Sequence, residues 1–161
     1  MNRRTLYKNA TVAATCIALV AGSAFAQQAS DIDNVKAVNQ AFYTALSARD
    51  AKAMGGLWPN KPYVTNIGPV SKVIAVGYED AVSKYWENAF TNVFSEVNAS
   101  MTSTAQIQTD GKVAWVVGTE SAKLKTKAGE ARAFDTFATN IYEKVGDRWL
   151  MVSHHAGIQP K

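Results

Sequence analysis

The chain is poor in the features that most often announce a function. It has a single cysteine, Cys16, and four prolines. Cys16 sits in the leader described below, so nothing after it can form a disulfide, a thiol nucleophile or a thiolate metal site. Three of the 17 basic residues, Arg3, Arg4 and Lys8, precede Gln27, as do none of the 13 acidic ones, which leaves 14 bases against 13 acids. A chain so nearly balanced has no electrostatic footprint for nucleic acid or another polyanion. It contains no Gly-rich phosphate loop, no GxSxG elbow and no His/Asp/Glu cluster at metal-ligand spacing, so neither a metal nor a cofactor is expected. Repeats, linkers and low-complexity tracts are also missing. The apolar run from Ala10 to Ala21 is too short and too alanine-rich to span a bilayer comfortably.

What is present begins with that run. Basic residues precede it, and Ala24-Phe25-Ala26 follows as a small-x-small cleavage site. Cys16 lacks the small-residue box that precedes a lipidated cysteine. Residues 1–26 therefore read as a secretory signal peptide, and residues 27–161 as one exported domain, periplasmic or secreted and not membrane-bound after cleavage.

In the domain, Ser30-Asp31-Ile32-Asp33 has the shape of a capping box, and Ile32, Val35, Phe42 and Leu46 recur at helical spacing to about Arg49. Asn39 and Tyr43 flank that stripe. Asp50 is placed to cap a short second helix bearing Met54, Leu57 and Trp58, which Pro59 and Pro62 stop. Tyr63 to Ile67 and Lys72 to Val76 read as short partner strands. From Tyr78 a helical period returns with Val82, Tyr85, Trp86, Ala89 and Phe90, an aromatic stripe of the kind that forms core. Four alternating strands follow, joined at Asp110-Gly111, Lys127-Ala128-Gly129 and Gly146-Asp147.

The turns set registers. A two-residue turn at Asp110-Gly111 pairs Ile107 with Ala114 and Met101 with Glu120. The next pairs Leu124 with Arg132 and Val116 with Asn140. The last pairs Tyr142 with Met151, Asn140 with Ser153 and Ala138 with His155. One face then collects Val97, Ala99, Met101, Ala105, Ile107, Val116, Glu120, Thr136, Asn140, Tyr142, Met151, Ser153 and His155, with small residues at its middle, and is taken as the inner face. The other face carries Trp115, Val117, Phe137, Ile141, Leu150 and Val152, an apolar surface suited to a homodimer. A β-bulge anywhere would exchange part of these lists.

His154 and His155 are neighbours on a strand and leave it on opposite faces, so they cannot clasp one metal. The whole stretch from Arg132 to Gly157, with its Gly-Asp turn, its Trp149 and its closing MVSHHAG, resembles the last two strands of the nuclear transport factor 2-like superfamily, and within it the SnoaL-like branch, close to the association domain of calmodulin-dependent kinases and to ketosteroid isomerase-like folds. The likeness runs from about Ile32 to Gly157. It implies an α+β cone, a curved sheet with three helices of the N-terminal half over one face, a pocket between them, and pairing of two copies sheet to sheet. Asn140 falls where resembling association domains often carry a pocket arginine, a departure that argues against an anionic ligand.

A cavity of that kind suits a small, largely apolar molecule. Its ligand-binding candidates are Asn140, Ser153, Tyr142 and Glu120 from strands and Tyr43 from the first helix, with His155 as the candidate catalytic acid or base, since histidine is the side-chain type most often used for that role. Three readings follow: a binding domain, an isomerase, dehydratase or cyclase using His155, and a structural dimerisation domain whose cavity is filled.

Overall fold

A computed structural model describes residues 3–160, with side chains from residue 26 onward. The side chains of the expected leader up to residue 25 thus lie outside the described residues.

Helix α1 spans Arg3–Ala48. It runs through Ser30, so the expected capping box does not form. Asp31 is buried instead, accepting hydrogen bonds from Lys144 Nζ at 2.6 Å and Trp149 Nε1 at 3.1 Å. Burial pulls its carboxyl upward in pKa, but these donors and the Lys144 charge outweigh that and hold it below the ordinary value. The helix ends where Arg49 turns left-handed, with φ 52°, and Arg49 fixes its guanidinium on the Phe94 carbonyl.

Helix α2, Ala51–Gly55, is capped as expected by Asp50, whose carboxylate accepts from Ala53 N at 2.8 Å. Strands β1, Thr65–Ile67, and β2, Ala75–Val76, form the short pair that follows. The aromatic stripe builds α3 from three pieces, Glu79–Ser83, Lys84–Asn88 and Ala89–Val93, the outer two wound in wide π turns. Strands β3, Phe94–Thr109, β4, Val113–Thr126, β5, Ala131–Val145, and β6, Arg148–Ile158, complete the chain. The fold is α+β, a six-stranded mixed sheet in the order β2-β1-β6-β5-β4-β3 whose curled inner face is covered by helices. All neighbours are antiparallel except β1 and β6, a parallel pairing the turn pattern could not foretell.

The inner face buries Val97, Ala99, Ala114, Val116, Tyr142, Trp149 and Met151 against Val35, Phe42 and Trp86 of the helices. The β4–β5 ladder has the expected register, with Leu124 opposite Arg132 and Val116 opposite Asn140. Elsewhere the ladders differ. The Asp110-Gly111 turn is wider than two residues, because Asp110 Oδ1 accepts from the backbone N–H of both Lys112 and Val113, and Thr109 faces Ala114. Irregularities between Met101 and Ser103 and between Thr104 and Gln106 absorb the offset, so Met101 still faces Glu120. Ala105 is displaced by them and is exposed. Opposite that kink stands Gly118, where a Cβ would lie 2.2 Å from the Ser103 carbonyl oxygen, so only glycine lets β3 fold this closely over β4.

On the outer face, Trp115 and Phe137 are exposed and Ile141 is half-buried. Leu150, expected among them as a partner-facing residue, is already buried within the chain. The segment through Leu57 and Tyr63 lies alongside that end of the sheet, where the Leu57 carbonyl accepts from Met151 N and Tyr63 donates to Glu143. Val152 also leaves the outer set and packs partly against the core.

Candidate functional site

The Gly146-Asp147 turn has the expected register, with Val145 opposite Arg148 and Tyr142 opposite Met151. Between Ile141 and Tyr142 the ladder slips by one residue, leaving Val152 as a bulge, and beyond it Ile141 faces Ser153, Asn140 faces His154 and Thr139 faces His155. The extra residue exchanges the two histidines. His154 is buried on the inner face and His155 is exposed on the outer one. The expectation that His155 and Ser153 line the cavity is therefore corrected. Ser153 turns outward and shares a 2.8 Å hydrogen bond with Thr65 of β1.

The other expected residues come together. Tyr43 of α1 donates to Glu120 Oε1 at 2.5 Å, and Thr136 donates to Glu120 Oε2 at 2.8 Å. Asn140 Nδ2 donates to Asn39 Oδ1 at 2.8 Å and to the Tyr43 oxygen at 3.3 Å, and Tyr142 donates to the same Asn39 oxygen at 2.7 Å. These bonds fix the protons. Because the Asn140 amide nitrogen is spent as a donor, its Oδ1 must accept, and it lies 2.7 Å from His154 Nδ1. His154 is thus held as the Nδ1–H tautomer, and Nε2 is its lone-pair nitrogen. Phe42 covers the ring, the centroids 4.9 Å apart.

Burial lowers the pKa of His154, against the pull of Glu120 and with a push from His155, which keeps the imidazole neutral at ordinary pH. Burial, then the charge of Glu120, raises the Tyr43 hydroxyl, and burial raises Tyr142 far above the usual phenol range. Both remain donors.

Tyr43, Glu120 and His154 line one cavity of about 90 Å³, whose remaining wall is apolar or aromatic, including Leu46, Phe94, Val97, Leu124 and Phe134. Asn140 and Tyr142 stand behind it and position its polar groups, fully buried. The loop Gly68-Pro69-Val70 and the rings of Tyr85 and Trp86 close the helix side. Those two aromatics, read from the sequence as core, are core and wall at once: Trp86 is buried in the core cluster, Tyr85 packs against it, and both line the cavity. Their spacing on α3 gives core and cavity wall the same pattern, so no signal in it separates the two. Among the described residues, no three His, Cys, Asp or Glu side chains gather as a metal site.

A family model described as SnoaL-like domain matches residues 35–159. In solved structures the fold recurs in a nuclear transport factor 2-like superfamily protein from Salmonella enterica, with TM-score 0.75 and 12% identity over 83% of this chain and 94% of that one. It recurs in a candidate dehydratase of the NTF2-like family from Streptomyces avermitilis, with TM-score 0.71 and 21% identity over 82% and 99% of the two chains. A hexachlorocyclohexane dehydrochlorinase, LinA type 2, gives TM-score 0.69 and 10% identity over 81% and 86%. In sequence, the F-box protein SKIP8 of Arabidopsis thaliana is 31% identical over 126 residues, which are 75% of this chain. The chain spans about half the length of that relative, 48% of it.

Proposed function

Since the chain belongs to the SnoaL-like domain family, we propose that it binds a small, largely apolar molecule between sheet and helices, with the molecule's polar group held by His154, Glu120 and Tyr43. The observation that carries this reading is the convergence of three hydrogen-bonding, ionisable side chains on one apolar cavity, the general makeup of a small-molecule site. Ala122 also lines the cavity, so Ala122→Phe fills it. Native mass spectrometry of protein purified from its own host should find a small-molecule adduct on the wild-type chain and none on a folded Ala122→Phe variant. Equal adducts on both would place the ligand elsewhere.

A second reading, an isomerase, dehydratase or cyclase type of enzyme, draws support from the tautomer of His154. A neutral imidazole whose Nδ1–H is anchored by Asn140 offers Nε2 as a base in the cavity that Tyr43 and Glu120 also line. Two of the structural neighbours carry names that denote eliminations. Such an enzyme would exchange a proton of its bound molecule with deuterated solvent, and His154→Gln would stop it. Binding without exchange in the wild type leaves the first reading alone.

Two further proposals come from the sequence. The outer face bearing Trp115, Phe137 and Ile141 pairs two copies, and Phe137→Glu should then yield monomers in sedimentation. An unchanged soluble dimer would put the interface elsewhere. The chain is exported and begins at Gln27, a start that the intact mass of the exported protein checks directly.

A further inference from the structure

The charge of the cavity says more about its occupant than its shape does. Each oxygen of Glu120 accepts from a neutral hydroxyl, Tyr43 on one and Thr136 on the other. Tyr43 in turn is the acceptor for Asn140 Nδ2, so its own proton goes to Glu120, and the carboxylate accepts on both oxygens. Glu120 is 6% exposed, it forms no ion pair among the described residues, and no lysine or arginine lines the cavity. The imidazole beside it is kept neutral by burial. A carboxylate buried with neutral donors and no counter-charge is costly, and each of its oxygens keeps a further lone pair. Around it stand Tyr85, Trp86, Phe94 and Phe134, whose ring faces attract cations.

Resting on the reading of this cavity as a ligand site, we infer that its ligand is a cation, a small amine or ammonium group on an apolar body, neutralised by Glu120 within an aromatic wall. The same arrangement repels carboxylates and phosphates. His154 Nε2 accepts an N–H of the ammonium head or a hydroxyl beside it.

Three probes of nearly one shape test this: tert-butylammonium, tert-butanol and pivalate, each titrated against the whole protein at neutral pH and low salt by ligand-observed NMR, with Ala122→Phe as the blocked-cavity control. The expected order is ammonium at least about tenfold tighter than alcohol, with pivalate not binding. Glu120→Gln removes the charge and keeps the shape, and should bring the ammonium down to the alcohol. If the alcohol binds as well as the ammonium, or pivalate binds best, the inference is overturned while the ligand site stands. If none of the three distinguishes wild type from Ala122→Phe, the ligand site falls and the inference with it. The comparison on the wild-type chain decides the matter even where Glu120→Gln does not fold.

Discussion

The β3–β4 and β5–β6 hairpins both carry extra residues, and they end differently. Between its turn and Met101, the first absorbs irregularities at Thr104/Gln106 and Met101/Ser103, and Met101 points inward beside Glu120. The second has a regular turn and one irregularity, at Val152, so every side chain from Ser153 to Ile158 lies on the face opposite to that of an unbulged strand. The number of extra residues between a turn and a position, odd or even, decides which face that position serves. On β6 this puts His154 among the buried groups and His155 in solvent.

Paired alanine variants test that division most strongly. His154→Ala leaves the Asn140 carbonyl oxygen without its donor and opens a void beside Phe42, so it should cost about 2 to 4 kcal/mol in denaturant unfolding. His155→Ala should stay within about 0.5 kcal/mol. Similar losses in the two variants would contradict the exchange of faces.

Acid gives a smaller and sharper signal. Burial lowers the native pKa of His154 below the 6.5 of a free imidazole, so as pH falls below about 6.5 the unfolded chain takes up a proton that the native chain refuses. Stability is full above that pH and declines through the window from there down to the lowered native value. Urea midpoints between about pH 7 and 5.5 should fall for wild type and for His155→Gln, and fall less for His154→Gln. An identical slope in His154→Gln would assign the proton to another group.

Deleting Val152 is the mildest change. Without it Ser153 follows Met151 directly and the observed pairs, Asn140 with His154 among them, form a regular ladder. The expected loss is about 1 to 2 kcal/mol, the worth of its partial burial against the core. In chemical modification of the imidazoles, His154 should stay protected and His155 react; reversal of the two would mean that the bulge is not what sets the face.

Much of this was legible in the sequence because turn residues and period-two alternation act locally. The left-handed Gly129 and Gly146 fix the last two turns, and from them the β4–β5 register and the meeting of Glu120, Asn140 and Tyr142 with Tyr43 follow. The covering helices were legible for the same reason, through the stripes of Val35, Phe42, Val82 and Trp86, while the cone was an expectation from the family resemblance of the last two strands. The bulge at Val152 was not, since a valine in mid-strand looks the same bulged or paired. Nor was the parallel pairing of β1 with β6, which joins residues about 90 positions apart and sets Asn66 beside His154. The two missed features adjoin, and both fall on the stretch of β6 that carries the histidines.

Helix α1 precedes every strand it packs against, and its anchors arrive one after another. Tyr43 waits for Glu120, 77 residues on; Asn39 waits for Asn140, 101 residues on; Asp31 waits for Trp149, 118 residues on. Before the final hairpin has left the ribosome, β3 and β4 already offer α1 the Ala99 backbone for Ser47 and Glu120 for Tyr43, whereas Asn39 and Asp31 still lack Asn140 and Trp149. A nascent chain stopped just short of Trp149 therefore has partners for the C-terminal turns of α1 and none yet for Asp31, so the helix docks from its C-terminal end backwards.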